Sequence, residues 1–150
     1  METQKTAAAV NDLIVINNDR YEGYKTALSE TKDADLKELF STFSEQSKKF
    51  AEELKKYVPA AKEPADKDET KTTGKLYRVW MDFKSAVTDH DRKAILSSCE
   101  FGEDAAKKTY DEVLEHSNDL PKEAMDLIHQ QRMELQKGHD TVKSLRDSIA

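Results

Sequence analysis

Glu100 and Glu103 stand three residues apart, directly after the lone Cys99, and His139 follows close to the end of the sequence. Carboxylates and an imidazole converging from neighbouring helices are donors that iron, manganese or zinc accept. Glu100, Glu103 and His139 are therefore the candidate metal ligands. A di-iron centre in a helical bundle asks for more: a Glu from each of two helices and a Glu-x-x-His from each of the other two. No Glu-x-x-His occurs in the 150 residues. The nearest match, Asp126-x-x-His129, has a shorter acid, and His139 has Gln136 three residues before it. This pattern points away from ferroxidase chemistry. Cys99 could meet His139 across a helical hairpin, but it lacks the third partner that activates a nucleophile. His90 reads as a solvated residue at a helix start. His116 suits a helix C-terminus, where positive charge is favoured, and His129 suits the surface. Neither a glycine-rich phosphate loop nor a GxSxG elbow is present. No catalytic residue is assigned. The expected role is non-enzymatic and without a resident cofactor, with a degenerate metal site as the alternative.

Helices must position these side chains. At about 100° per residue, Val10, Leu13, Ile14, Asn17, Tyr21, Tyr24 and Leu28 share one face, so a first helix runs through the NND triplet. Asn17 interrupts an otherwise apolar stripe, while Asn18, Asp19 and Glu22 point elsewhere. TKDADL then breaks the chain, and Asp33 or Asp35 can cap a second helix. Its inner face runs Leu36, Leu39, Phe40, Phe43, Ser47, Phe50, Leu54 and Tyr57. Residues 59–73 are polar and proline-bearing, which predicts a mobile loop. Leu76, Val79, Trp80, Phe83 and Val87 predict a short amphipathic helix. Thr88 or Asp89 can cap a third long helix over about residues 90–117, with Ile95, Cys99, Gly102, Glu103, Ala106, Tyr110 and Val113 inward. SNDLP marks a turn, with Asn118 or Asp119 as a cap and Pro121 in the first turn. Ile128, Gln131, Arg132, Leu135, His139, Val142, Leu145 and Ile149 line the final helix.

Four long amphipathic helices in one chain predict a single all-α domain over residues 1–150, a four-helix bundle. The short helix between helices 2 and 3 is long enough to cross the bundle, so helices 2 and 3 are expected to run parallel. Counting outward from each turn then sets Asn17 opposite Gln46 or Ser47, and Glu103 opposite Leu135. Asn17, Gln46, Ser47 and Glu103 share one layer near mid-height, with Gln131 and His139 a turn to either side. Tyr21, Tyr24 and Tyr110 can supply hydroxyls. The layer reads as a hydrogen-bonded network that fixes helix register, because each unpaired buried polar group costs about 1–3 kcal/mol.

Composition sets the limits on partners. Charged residues make up 36% of the chain, with only four Gly and three Pro, which suits long helices with charged outer faces. A formal charge of −6 argues against nucleic acid and against an anionic membrane surface. A single cysteine allows no internal disulfide. The opening METQKTAAAV lacks a signal-peptide pattern, and no apolar run reaches the roughly 20 residues of a membrane span. A cytoplasmic setting is expected, with a homodimer or another protein as partner.

The segments NDLIVINNDRYEGY, DADLKELF, RVWMDFKSAV, DRKAILSSCEFGEDAAKKTYDEVL and HDTVKSLRD resemble a bacterial family of ferritin-like four-helix bundles, the domain of unknown function 2383. The resemblance covers the chain apart from the 59–73 loop. It implies a ferritin-like bundle, and it implies no activity, since fold alone does not carry one.

Overall fold

The computed structural model describes residues 2–57, 81, 83, 85, 91–116 and 120–149. Within them the chain forms α1 (Glu2–Glu30), α2 (Ala34–Lys55), α3 (Arg92–His116) and α4 (Lys122–Asp147). The protein is an all-α four-helix bundle. The expected loop over 59–73, Trp80, His90 and most of the expected crossover helix lie outside the described residues. Of that helix Met81, Phe83 and Ser85 are described, and each is helical. Phe83 is buried and meets the rings of Tyr24 and Phe40 edge-on at 5.5 Å.

Side-chain pairs fix the direction of each helix. Asn17, Arg20 and Tyr24 meet Tyr110, Glu103 and Cys99 in descending order, so α1 and α3 are antiparallel. Phe43 faces Gly138 while Phe50 and Glu53 face Gln131, so α2 and α4 are antiparallel too. Asn17 and Arg20 meet Ser47 and Phe43, and Glu100 and Asp111 meet Arg146 and Arg132, so each hairpin is antiparallel as well. α1 and α4 each pack between α2 and α3, which leaves α2 and α3 diagonal and parallel. Arg92 at the start of α3 accordingly pairs with Asp33 and Asp35 at the start of α2. The α2–α4 seam is the loosest of the four and carries a groove of about 410 Å³.

Thr88 and Asp89, the expected caps of α3, lie outside the described residues. Asp91 directly precedes α3, and its Oδ1 accepts from the amides of Lys93 and Ala94 at 3.1 and 3.3 Å. A short acid one residue before the helix reaches the free amides of the first turn. Asp33 holds the N-cap position of α2 with extended backbone, but its side chain makes no cap bond. Arg92 takes that carboxylate instead.

The core has two apolar halves. One gathers Val10, Leu13, Ile14, Phe50, Leu54, Val113, Ile128 and Leu135, and the other gathers Tyr24, Leu36, Phe40, Phe43, Ile95, Leu96, Cys99 and Val142. Between them lie Asn17, Arg20, Ser47 and Glu103, all buried. α1 departs from simple amphipathicity here. Leu13 through Arg20 are buried without interruption, Asn18 and Asp19 included. A helix buried on every side in this way carries no solvent stripe at mid-length. Among the described helices, α2 and α3 are the neighbours that pack against it.

Candidate functional site

Arg20 is the centre of the mid-height layer. It follows Asn17 by three residues and precedes Tyr24 by four, a spacing that keeps all three on one helix face. Its guanidinium is fully buried and forks onto Glu103: Nε donates to Oε2 at 2.8 Å and Nη2 to Oε1 at 2.7 Å. Nη1 turns to α2 and donates to Gln46 Oε1 and Ser47 Oγ, both at 2.9 Å, and to the Phe43 carbonyl at 3.3 Å. The Tyr24 and Phe43 rings flank it, with centroids 5.4 and 4.8 Å from Cζ. Burial alone would pull the guanidinium down. The charge and hydrogen bonds of Glu103 outweigh that and hold Arg20 above the ordinary arginine range. Two-point geometry of this kind is the strongest arrangement for a guanidinium and a carboxylate.

The network continues from Ser47. Its hydroxyl donates to Asn17 Oδ1 at 2.9 Å. Asn17 Nδ2 donates to Tyr110 Oη and to the Leu13 carbonyl, each at 2.8 Å. Tyr110 in turn donates to Gln131 Oε1 at 2.6 Å. Gln131 Nε2 reaches the Phe50 carbonyl and Glu53 Oε1, each at 3.3 Å. Every helix contributes, and one continuous path runs from Glu103 through Arg20, Ser47, Asn17, Tyr110 and Gln131 to Glu53.

Of the polar residues expected at mid-height, the structure brings together Asn17, Gln46, Ser47, Glu103 and Gln131. It sets His139 apart at the α3–α4 seam, where Nε2 lies 3.1 Å from Asp104 and Nδ1 lies 3.2 Å from Asp140. Arg20 and Asp104 are the residues that the sequence reading passed over. Among the metal candidates, Glu103 spends both oxygens on Arg20. Glu100 and His139 do converge, but with Asp104 as the third member: one donor atom from each lies within 4.8 Å of the others. His129 is exposed on α4.

Cys99 is fully buried, with Sγ 3.0 Å from Tyr24 Oη. Burial, and then the nearby Glu103 charge, push its thiol far above the ordinary range. Tyr24 is raised as well, by burial first and Cys99 second. A thiol that stays protonated is a poor nucleophile. Native protein at pH 8 is accordingly expected to resist an aromatic disulfide reagent and to react fully once unfolded in guanidinium. Fast native labelling at one thiol per chain would contradict this placement.

A family model matches residues 5–116, a stretch that holds Asn17, Arg20, Ser47, Glu103 and Tyr110. The chain belongs to the family described as domain of unknown function DUF2383. The match ends where α3 ends, so the Gln131, Gly138 and His139 contributions of α4 lie beyond it in this DUF2383 member. No curated protein matches the chain. No helix among the described residues is long and apolar enough to cross a membrane.

Proposed function

We propose that this DUF2383 protein is a non-enzymatic, ferritin-like scaffold of the bacterial cytoplasm that works through protein contacts, including self-association. One observation carries the reading. The mid-height space where helical bundles hold cofactors is filled by the chain's own Arg20 guanidinium, clamped on both oxygens of Glu103. An internal cation occupies the position and charge role that a metal ion would take. Parallel α2 and α3, joined by one long connection, support the ferritin-like relationship. On the outer faces, Phe101 of α3 and Met133 of α4 are 67% and 61% exposed, which offers apolar points for contact with a second protein.

Light scattering across a concentration series tests the reading. The expected result is a mass that rises above the monomer with concentration and falls back with Phe101→Asp. Two results would overturn it. One is a strict monomer at every concentration that crosslinks to nothing in a lysate. The other is stoichiometric iron, oxidised in air, in protein purified without a metal-affinity tag.

A further inference from the structure

We propose that Glu100, Asp104 and His139 form a site for one borderline divalent cation of the zinc type, placed at the α3–α4 seam and separate from the Arg20 layer. Three geometric features support it. First, Glu100 and Asp104 are four residues apart on α3, so both carboxylates rise from one face, while His139 comes from the antiparallel α4. A cation held there would join two helices rather than decorate one. Second, the donor atoms already lie close together, with His139 Nε2 at 3.1 Å from Asp104 Oδ1 and all three within 4.8 Å. Zinc takes imidazole nitrogen and carboxylate oxygen at about 2.0–2.2 Å. Small side-chain rotations bring the three atoms onto one ion and leave a fourth position for water.

Third, the surroundings have the form of an outer coordination shell. Asp140 lies 3.2 Å from His139 Nδ1. In the tautomer with its proton on Nδ1, His139 donates to that carboxylate and leaves Nε2, on the Asp104 side, to ligate. This is the usual outer support of a ligating histidine. Glu100 is oriented by Arg146, whose Nη1 donates to Oε1 at 2.8 Å and lies 2.8 Å from Oε2 as well, so the carboxylate is held at the seam.

Two resident cations compete. Arg146 pairs with Glu100, and Lys107 Nζ lies 3.5 Å from Asp104 Oδ1. A divalent ion has an advantage over both at His139, because it coordinates the imidazole nitrogen and both carboxylates at once, whereas Lys107 and Arg146 offer only hydrogen bonds. Imidazole also selects zinc, cobalt or nickel over magnesium or calcium, which favour all-oxygen sites.

Isothermal titration of chelator-treated full-length protein with zinc chloride tests the site, with cobalt chloride as an absorbance probe. The expected result is one zinc per chain and a cobalt spectrum of low-symmetry, nitrogen- and oxygen-ligated form. Asp104→Asn and His139→Gln should each weaken zinc binding by about tenfold or more, while His129→Gln on the exposed face leaves it unchanged. Helicity by circular dichroism confirms that each variant folds. If His139→Gln is unstable, Glu100→Gln provides the same readout from α3. No binding, or binding lost with His129→Gln but indifferent to Asp104→Asn and His139→Gln, would overturn the proposal. Either result leaves the self-association reading untouched, since Phe101 and Met133 are not donors.

Discussion

Arg20→Met is expected to be the most damaging single substitution in this chain, costing about 3–5 kcal/mol because it strands a buried carboxylate. Glu103 is fully enclosed and takes hydrogen bonds on both oxygens from Arg20. Removing the guanidinium also leaves Gln46 Oε1 and Ser47 Oγ without their shared donor. Marginal domains hold only about 5–15 kcal/mol in total, so the variant should show a much lower urea midpoint or fail to fold. Glu103→Leu alone leaves the converse problem, a buried cation without its anion. The double variant Arg20→Met/Glu103→Leu removes both charges and fills similar volume between the Tyr24 and Phe43 rings. It should recover most of the loss, since well-packed apolar replacements of buried ion pairs are often neutral or stabilising. A double-mutant cycle by urea denaturation measures the coupling. Additive losses, with the double variant as poor as the sum of the singles, would show that the pair does not act as a unit.

This asymmetry between breaking a pair and replacing it explains what the layer can contribute. A buried ion pair is weak support for stability. Its geometric requirement is strong, however. Arg20 reaches Glu103 on α3 and Gln46, Ser47 and the Phe43 carbonyl on α2 from one position on α1. Sliding α1 by one turn, about 5.4 Å, breaks all of these at once, and sliding α2 or α3 breaks its own share of them. The apolar halves above and below the layer offer no such discrimination, because leucine and phenylalanine contacts tolerate small shifts. The layer therefore specifies register, as the proposed scaffold role would require.

Parts of this arrangement were legible in the sequence. Helical spacing puts Asn17 within an apolar stripe, and counting from the first turn sets it beside Ser47, whose hydroxyl donates to its Oδ1. The crossover argument puts residue 47 near the level of Glu103, and Arg20 spans that gap. Arg20 itself was hidden by its type. An arginine beside NND reads as a charged outer-face residue, and only its three- and four-residue spacing to Asn17 and Tyr24 places it inward. The inward Glu103 was the available signal, since a buried carboxylate needs a counter-ion. Asp104 was hidden for a related reason. It is 49% exposed and flanks the inner stripe, so periodicity assigns it to solvent, and only the pairing of α3 with α4 brings it to His139. Burial around all of Leu13–Arg20 was likewise illegible, because polar Asn18 and Asp19 carry no apolar pattern.

Gly138→Ala illustrates how the layer overrides local propensity. Glycine within a helix costs about 1 kcal/mol relative to alanine, and Gly138 lies well inside α4, so propensity alone predicts a gain. A Cβ at this position would stand 2.9 Å from Glu103 Oε1 and 3.2 Å from two atoms of the Phe43 ring. An ordinary carboxylate tip could swing aside. This one is fully buried and held by Arg20 Nη2 at 2.7 Å, and moving it lengthens the charged bond. Phe43 cannot yield freely either, since its ring packs against the Arg20 guanidinium and Tyr24. Overpacking of this kind costs about 1–3 kcal/mol, so thermal unfolding should show a net loss of about 1–2 kcal/mol despite the better helix former. The clamp can be separated from the ring contact. In a background of Arg20→Met/Glu103→Ala the carboxylate is gone, and the same Gly138→Ala change should become neutral or stabilising. A net gain in the wild-type background would mean that α4 is free to move away from α2 and α3, and that the Arg20 layer does not set its distance.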